Sequence, residues 1–328
     1  MGLLPRIPYR CSAFITSLMA RFTFVFLWKY RRRMEANIEN ALKDQIADPA
    51  ERKAILWRAW NQFALGVLDT MAVVHLPKER IAAAIALEGE EHLKRALAKG
   101  KGVIALSAHL GGFTMIGARL AAAGYPFSIV VKHPGDERMA RLITAYRAQI
   151  GIGTISAKPR QEAVQGILKA LRNNGIVLVI ADEFKSGGVD VSFMGQKAAA
   201  PRGPASLALR TGAVTLPMFA PRAPDESVVV QIGREIALIR HDDVDASIAE
   251  TTRLFCRHIE EAIRRFPDQW NWFGFPRPER VSRTGYLRRY RKAKKAAARA
   301  ATDSLEPRIS HAGDARSNSS SRSNRSSR

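Results

Sequence analysis

Between Val103 and Ile232 this chain alternates short Val/Ile-rich runs with stretches of helical periodicity, and that alternation constrains its fold more than any other feature. The apolar runs are Val103–Ser107, Phe127–Val131, Ile176–Ala181, Val214–Phe219 and Val228–Ile232. Helical patterns separate or follow them at Met115–Ala123, Glu137–Gln149, Gln161–Asn173 and Gly203–Thr211. Strands alternating with helices of that length predict an α/β domain with a largely parallel or mixed central sheet flanked by helices. Upstream, Met34–His75 reads as helical, with a cap-like break at Asp48-Pro49 and an apolar stripe of Leu56, Trp60, Phe63, Val67 and Met71. Ile81–Lys99 reads as a second helical stretch, and Asp245–Phe266 as a last amphipathic helix closed by Pro267. No internal repeat interrupts this plan.

Ahead of the domain, Cys11–Trp28 is apolar and aromatic, and the basic cluster Lys29–Arg33 follows it. Arg21 interrupts the run, whereas a spanning helix needs about 20 clean apolar residues. An interfacial or shallow anchor, a true span and a buried soluble helix are all open readings. No small-residue cleavage site follows, so a removed signal peptide is not expected. If the segment spans, the basic cluster marks the cytoplasmic side. These readings divide the chain into a membrane-associating segment at 1–33, a catalytic domain at 34–280 and a basic tail at 281–328, whose last dozen residues lack the composition for a core.

The formal charge of +22 over 328 residues favours anionic partners: nucleic acid, an anionic membrane surface or an acidic carrier protein. No nucleic-acid-binding module is recognisable, so nucleic acid is not an expected partner. Cys11 and Cys256 form neither a disulfide framework nor a metal-ligand spacing, which suits a reducing compartment. No glycine-rich phosphate loop or serine nucleophile elbow appears, so no metal or nucleotide cofactor is expected.

The chemistry-bearing stretch is Val103–Thr114, VIALSAHLGGFT. It places His109 at a strand's C-terminal end, with small residues around it and helix-start amides after it. An imidazole there is suited to acid–base work, and free amides at the helix start can hold a developing oxyanion. Read blandly, His109 is a satisfied polar group near the core. Asp182 and Glu183 end another strand, so their carboxylates emerge at the same sheet edge and either can orient the imidazole; the other reading of Asp182 is a cap on its own loop. Trp270 and Trp272 read as packing or membrane-interface aromatics.

Taken in order, several motifs resemble one family. EGEEHLK from Glu88 and GKGVIALSAHLG from Gly100 are followed by LVIADE at Leu178–Glu183, Phe193-Met-Gly, PRGPASLALRTGA at Pro201–Ala213, Pro217–Arg222 and FPDQWNWF at Phe266–Phe273. Together, from Glu88 to Pro278, they resemble the lipid A biosynthesis acyltransferases, the late acyltransferases of the lysophospholipid acyltransferase superfamily. The resemblance implies a glycerolipid acyltransferase-like α/β fold at the cytoplasmic face of the inner membrane. It implies O-acyl transfer from an acyl carrier protein or acyl-CoA to a hydroxyl of a phosphorylated glycolipid, with His109 as general base.

The family's carboxylate five residues after the His is here Thr114, and Gly112 and Phe113 stand where the family keeps Asn and Trp. A Thr hydroxyl can accept a hydrogen bond from the ring but brings no charge, and losing such a carboxylate costs roughly 10²–10⁴ in rate. An impaired or inactive relative that binds lipid or a partner enzyme is therefore the alternative reading. Gly111 and Gly112 are small enough to let a substrate approach the imidazole, and Arg202, beside Pro201 at a helix start, is a candidate anion contact. By position the resemblance implies Arg222 as a further substrate-binding residue and Arg147 as a phosphate or carrier contact, its other reading being a solvated helix face.

Overall fold

The structure is a computed structural model and describes residues 9–184 and 187–275. Three helices open it: α1 (Tyr9–Phe26), α2 (Trp28–Leu42) and α3 (Pro49–Val73). Then come α4 (Lys78–Ala84), β1 (Ile85–Glu88), α5 (Glu90–Ala98), β2 (Val103–Ser107), α6 (Phe113–Ala122), β3 (Phe127–Val131), α7 (Glu137–Gln149), β4 (Ile152–Ser156), α8 (Arg160–Arg172) and β5 (Ile176–Ile180). A hairpin of β6 (Val189–Phe193) and β7 (Gln196–Ala200) precedes α9 (Gly203–Thr211), β8 (Val214–Phe219), β9 (Val228–Ile232) and α10 (Val244–Arg265). Two 3₁₀ turns, Pro267–Gln269 and Trp272–Gly274, end the described chain.

The central sheet has seven strands in the order β1-β9-β8-β2-β5-β3-β4. Neighbours pair in parallel except β8 and β9, so the sheet is mixed and largely parallel, as expected. Strand β2 is buried along its whole length, which fits its continuous apolar run. Its side chains alternate between two cores: Ile104 and Leu106 pack with Ile167, Phe255 and Ile259, while Val103 and Ala105 pack with Ile116, Leu120 and Leu93 on the other face. That is the period-2 geometry of a strand covered by helices on both sides.

Several elements differ from the sequence reading. The stretch Ile81–Lys99 is broken by β1, because Ile85–Glu88 pairs with Val228–Gln231. Gly89 makes the junction: its φ is +73°, and a Cβ there would lie 2.1 Å from the Ile232 carbonyl oxygen, so the turn needs a glycine. Strand β4, IGTIS, has a single buried residue and carried little apolar signal. The hairpin turns at Met194-Gly195, both at positive φ, without the Asn-Gly pair that usually announces such a turn.

The N-terminal helices belong to the packing of the fold. In α1 only Ala20 is buried, yet Phe24 meets Trp57 and Trp60 of α3 edge-on at 5.4 and 5.6 Å. The opposite face leaves Phe14, Leu18, Met19, Phe22, Val25 and Phe26 exposed. Among the described residues no single helix is long and apolar enough to cross a membrane; α1 and α2 meet at a 90° bend. Residue 33, read as a boundary, lies within α2. The tail at 281–328 lies outside the described residues.

Helix α3 starts where Asp48-Pro49 suggested: the Asp48 side chain accepts the Ala50 amide at 2.8 Å, and Pro49 takes the first helical position. Asp48→Ala is expected to cost about 1 kcal/mol. Thermal unfolding should show a midpoint lower by roughly 2–4 °C; an unchanged midpoint contradicts the capping role.

Candidate active site

Sheet register brings the central pair of residues together. Strands β2 and β5 are parallel neighbours, with Ser107 opposite Ile180. Two residues further on, past the C-terminal ends of both strands, stand His109 and Asp182. The Asp182 Oδ1 lies 2.8 Å from His109 Nδ1. Its Oδ2 accepts the His109 backbone N–H at 2.8 Å and the Trp270 indole N–H at 2.8 Å. Asp182 is buried, whereas the His109 side chain is 29% exposed. Burial pushes the Asp182 carboxyl up, but the hydrogen bond and charge of His109, with the Trp270 and backbone donors, outweigh it and hold the pKa below the ordinary value. The carboxylate is therefore ionised at neutral pH, and Nδ1 is the nitrogen that donates. Trp270, read from sequence as a packing or interface aromatic, is a buried packing residue that also donates to Asp182; nothing in its spacing announced that bond.

The loop after His109 is woven into two other segments. Leu110 bridges Trp270 and Gly111 bridges Ala220. Asn271 donates its amide to the His109 carbonyl at 3.0 Å. Gly111 and Gly112 donate theirs to the Gln269 and Ala220 carbonyls at 2.9 and 2.8 Å, so those two amides are not the free donors the sequence suggested. Gly111 is required by geometry: its φ is +56°, and a Cβ would sit 2.3 Å from the Ala220 oxygen. Of the candidates for the imidazole partner, Asp182 meets the ring and Thr114 does not. Thr114 shares a 2.9 Å hydrogen bond with Thr70 of α3, while the carboxylate at Nδ1 comes from β5.

A cavity of about 280 Å³ opens beside His109. One wall is a continuous face of α3: Ala59, Gln62, Phe63, Gly66, Val67, Thr70 and Met71, spaced three and four apart. The other wall is built by His109, Gly111, Phe113, Thr114 and Gln269–Asn271. The stripe read along this helix thus divides. Leu56 and Trp60 are buried in the core, but Phe63, Val67 and Met71 are about half exposed (51%, 51% and 50%) and face the cavity.

The three arginines go to different places. Arg222 is buried behind the cavity in an ion pair with Asp69 of α3. Its Nε donates to Gln62 Oε1 at 3.1 Å and its Nη1 to the Glu226 carbonyl at 2.7 Å. Its backbone exchanges two bonds with the Gln269 side chain, at 2.7 and 2.8 Å. Burial works against the Arg222 charge, yet Asp69, Tyr9 and Glu226 raise its pKa above the usual guanidinium value. Arg202 forms an exposed pair with Asp245 at 2.5 Å and does not line the cavity. Arg147 lies in the last turn of α7, which leads into the start of β4 and so to the sheet edge opposite His109. Burial lowers its pKa, and it has no ion pair among the described residues. Asp69, the sole acid between Ile55 and Val74, escaped the sequence reading although its isolation in an apolar helix was a signal.

Comparison with known proteins gives this arrangement relatives. A family model described as bacterial lipid A biosynthesis acyltransferase matches residues 1–274. A phosphatidylinositol mannoside acyltransferase of Mycobacterium tuberculosis is 32% identical over 131 residues, 39% of this chain and 42% of that protein. Its counterpart in Mycolicibacterium smegmatis is 29% identical over 130 residues, 39% and 43% of the two chains. The match therefore spans less than half the length of these mycobacterial relatives. A lipid A biosynthesis acyltransferase of Haemophilus influenzae is 24% identical over 279 residues, 82% of each chain.

The depressed Asp182 pKa gives a test that needs no activity. A carboxyl lowered by folding stabilises the fold above its unfolded pKa, and that contribution is lost as pH falls through the folded value. The stability advantage of the wild type over Asp182→Asn should be constant near neutrality and shrink below about pH 4. Denaturant titrations across pH measure it; a gap that does not change with acidification contradicts the assignment.

Proposed function

The chain belongs to the bacterial lipid A biosynthesis acyltransferase family, and from that premise we propose that it moves a fatty acyl chain from an acyl thioester to a hydroxyl of a phosphorylated glycolipid such as a lipid A precursor. The observation that carries the proposal is the His109–Asp182 hydrogen bond at the mouth of a largely apolar cavity. With Nδ1 committed to the buried carboxylate, Nε2 is the nitrogen that takes the proton of the acceptor hydroxyl. The alkoxide-like oxygen attacks the thioester carbonyl carbon, and the tetrahedral intermediate collapses with breakage of the C–S bond. The imidazolium then returns its proton to the departing thiolate. Asp182 holds the tautomer and stabilises the imidazolium between these transfers. The first turn of α6, whose Phe113 and Thr114 border the cavity, faces the developing oxyanion with the positive end of the helix.

The donor is an acyl carrier protein or acyl-CoA, and the chain's net charge of +22 suits either anionic partner. The acyl chain lies along Phe63, Val67 and Met71 of α3. The exposed apolar face of α1, bordered by Lys29, Arg31 and Arg32 beyond the bend, rests on the cytoplasmic face of the inner membrane as an interfacial anchor. Thr114 is the observation behind the alternative, a non-catalytic lipid-binding relative. Asp182 supplies the charge that Thr114 lacks, which favours the enzyme.

Acyl transfer to extracted glycolipid in a membrane assay tests this reading. His109→Ala should lower turnover to a measurable residual of about 10⁻⁴ of wild type, and Asp182→Asn should lower it by roughly 10²–10⁴. Thr114→Glu should leave the rate within about tenfold of wild type, since the base already has a carboxylate. Turnover near the wild-type rate in His109→Ala refutes the base assignment; a gain of a hundredfold or more in Thr114→Glu marks the wild type as an impaired enzyme.

A further inference from the structure

The two walls of the cavity come from parts of the chain far apart in sequence. One is the face of α3, and the other is the loop carrying His109, braced by Ala220 and Gln269. Thr70 and Thr114 share a hydrogen bond across them and Arg58 pairs with Asp268 at the surface, but the bridge behind the cavity is both charged and buried: Asp69 and Arg222 have side chains only 8% and 4% exposed. Arg222 follows Ala220, whose carbonyl accepts the Gly112 amide, and its backbone is clasped by Gln269, whose own carbonyl accepts the Gly111 amide. From this position its guanidinium reaches Asp69 and Gln62, one on each side of the cavity-lining Gly66. The first residue of α1 joins as well: the Tyr9 hydroxyl donates to the second Asp69 oxygen at 2.6 Å.

We infer that Asp69 and Arg222 are a positioning pair that locks the α3 wall of the cavity to the wall carrying His109, and that Tyr9 makes α1 part of the same lock. Neither residue touches the reacting atoms. A buried ion pair is costly to break on one side, because the partner left behind is an uncompensated buried charge. Apolar packing of α3 alone permits the helix to slide. Paired charges with hydrogen bonds to Gln62, Gln269 and the Glu226 carbonyl do not. Through Tyr9 the seating of α1, the helix with the exposed apolar face, is felt at the cavity. The use of this lock in acyl selection rests on the proposed function; the lock itself does not.

Hydrogen-exchange mass spectrometry of the full chain, comparing wild type with Tyr9→Phe and Asp69→Asn, tests it. Tyr9→Phe removes one hydroxyl and keeps the ring packing, so it remains informative if Asp69→Asn does not fold. The expected result is faster exchange, by about threefold or more, in three segments at once: the start of α1, Gln62–Thr70 of α3 and His109–Thr114. Acceleration confined to α1 overturns the inference. A second arm measures binding of fluorescent fatty acids of two chain lengths, 12 and 16 carbons. A variant that merely lowers the folded fraction weakens both equally, whereas a shifted wall changes their affinity ratio by about threefold or more. An unchanged ratio alongside coupled exchange also overturns the positioning role. A wild type that binds neither probe counts against the proposed function, and the exchange arm still decides the lock.

Discussion

The carboxylate of Asp182 is the constraint around which the site is assembled. An ionised group buried at the end of a central strand is tolerable only if donors surround it, and removing one side of such an arrangement costs about 3–5 kcal/mol. Three donors meet it here: the His109 ring, the His109 amide and the Trp270 indole. Each comes with an architectural demand. The two from His109 require β2 and β5 to be parallel neighbours in one particular register. The indole requires the chain to return after α10 and lay Trp270 against the sheet edge, where Leu110 bridges it and Asn271 ties back to the His109 carbonyl. Further out, Asn37 of α2 donates to the Trp272 carbonyl at 2.8 Å, so the N-terminal helices are fastened to the same closing segment.

From that anchor the functional geometry follows. Five parallel strands deliver their C-terminal ends to one edge, and His109 stands past the end of β2, the middle strand of the seven-stranded sheet. On α3 the face bearing Phe63, Val67 and Met71 is left about half exposed. Its apolar side chains line an open cavity, and α1 separately carries a bare apolar face.

Much of the fold was legible in residue patterns, for identifiable reasons. Long Val/Ile runs such as Val103–Ser107 are buried on both faces and leave an unambiguous mark. Strands IALE and IGTIS do not, because pairing with a remote partner, and not their own composition, makes them strands. His109 was legible as a candidate base from its place at a strand end. Its partner was narrowed to Asp182 or Glu183, but choosing Asp182 needs the register between β2 and β5, which no local pattern records. Thr114 drew attention at the family's carboxylate position, while the carboxylate came from another strand. Of the three candidate arginines, local sequence could not tell buried Arg222 from surface-paired Arg202; only the position of Asp69 across the fold separates them.

The central claim is that His109 and Asp182 act as one unit in acyl transfer. A double-variant cycle on turnover, comparing His109→Ala, Asp182→Asn and the combination, tests it most directly. Residues that act together are grossly non-additive, so the combined variant should be no slower than His109→Ala alone. Losses that multiply, with the combined variant slower than either by the product of the two, would show that Asp182 serves the protein through something other than the imidazole it holds.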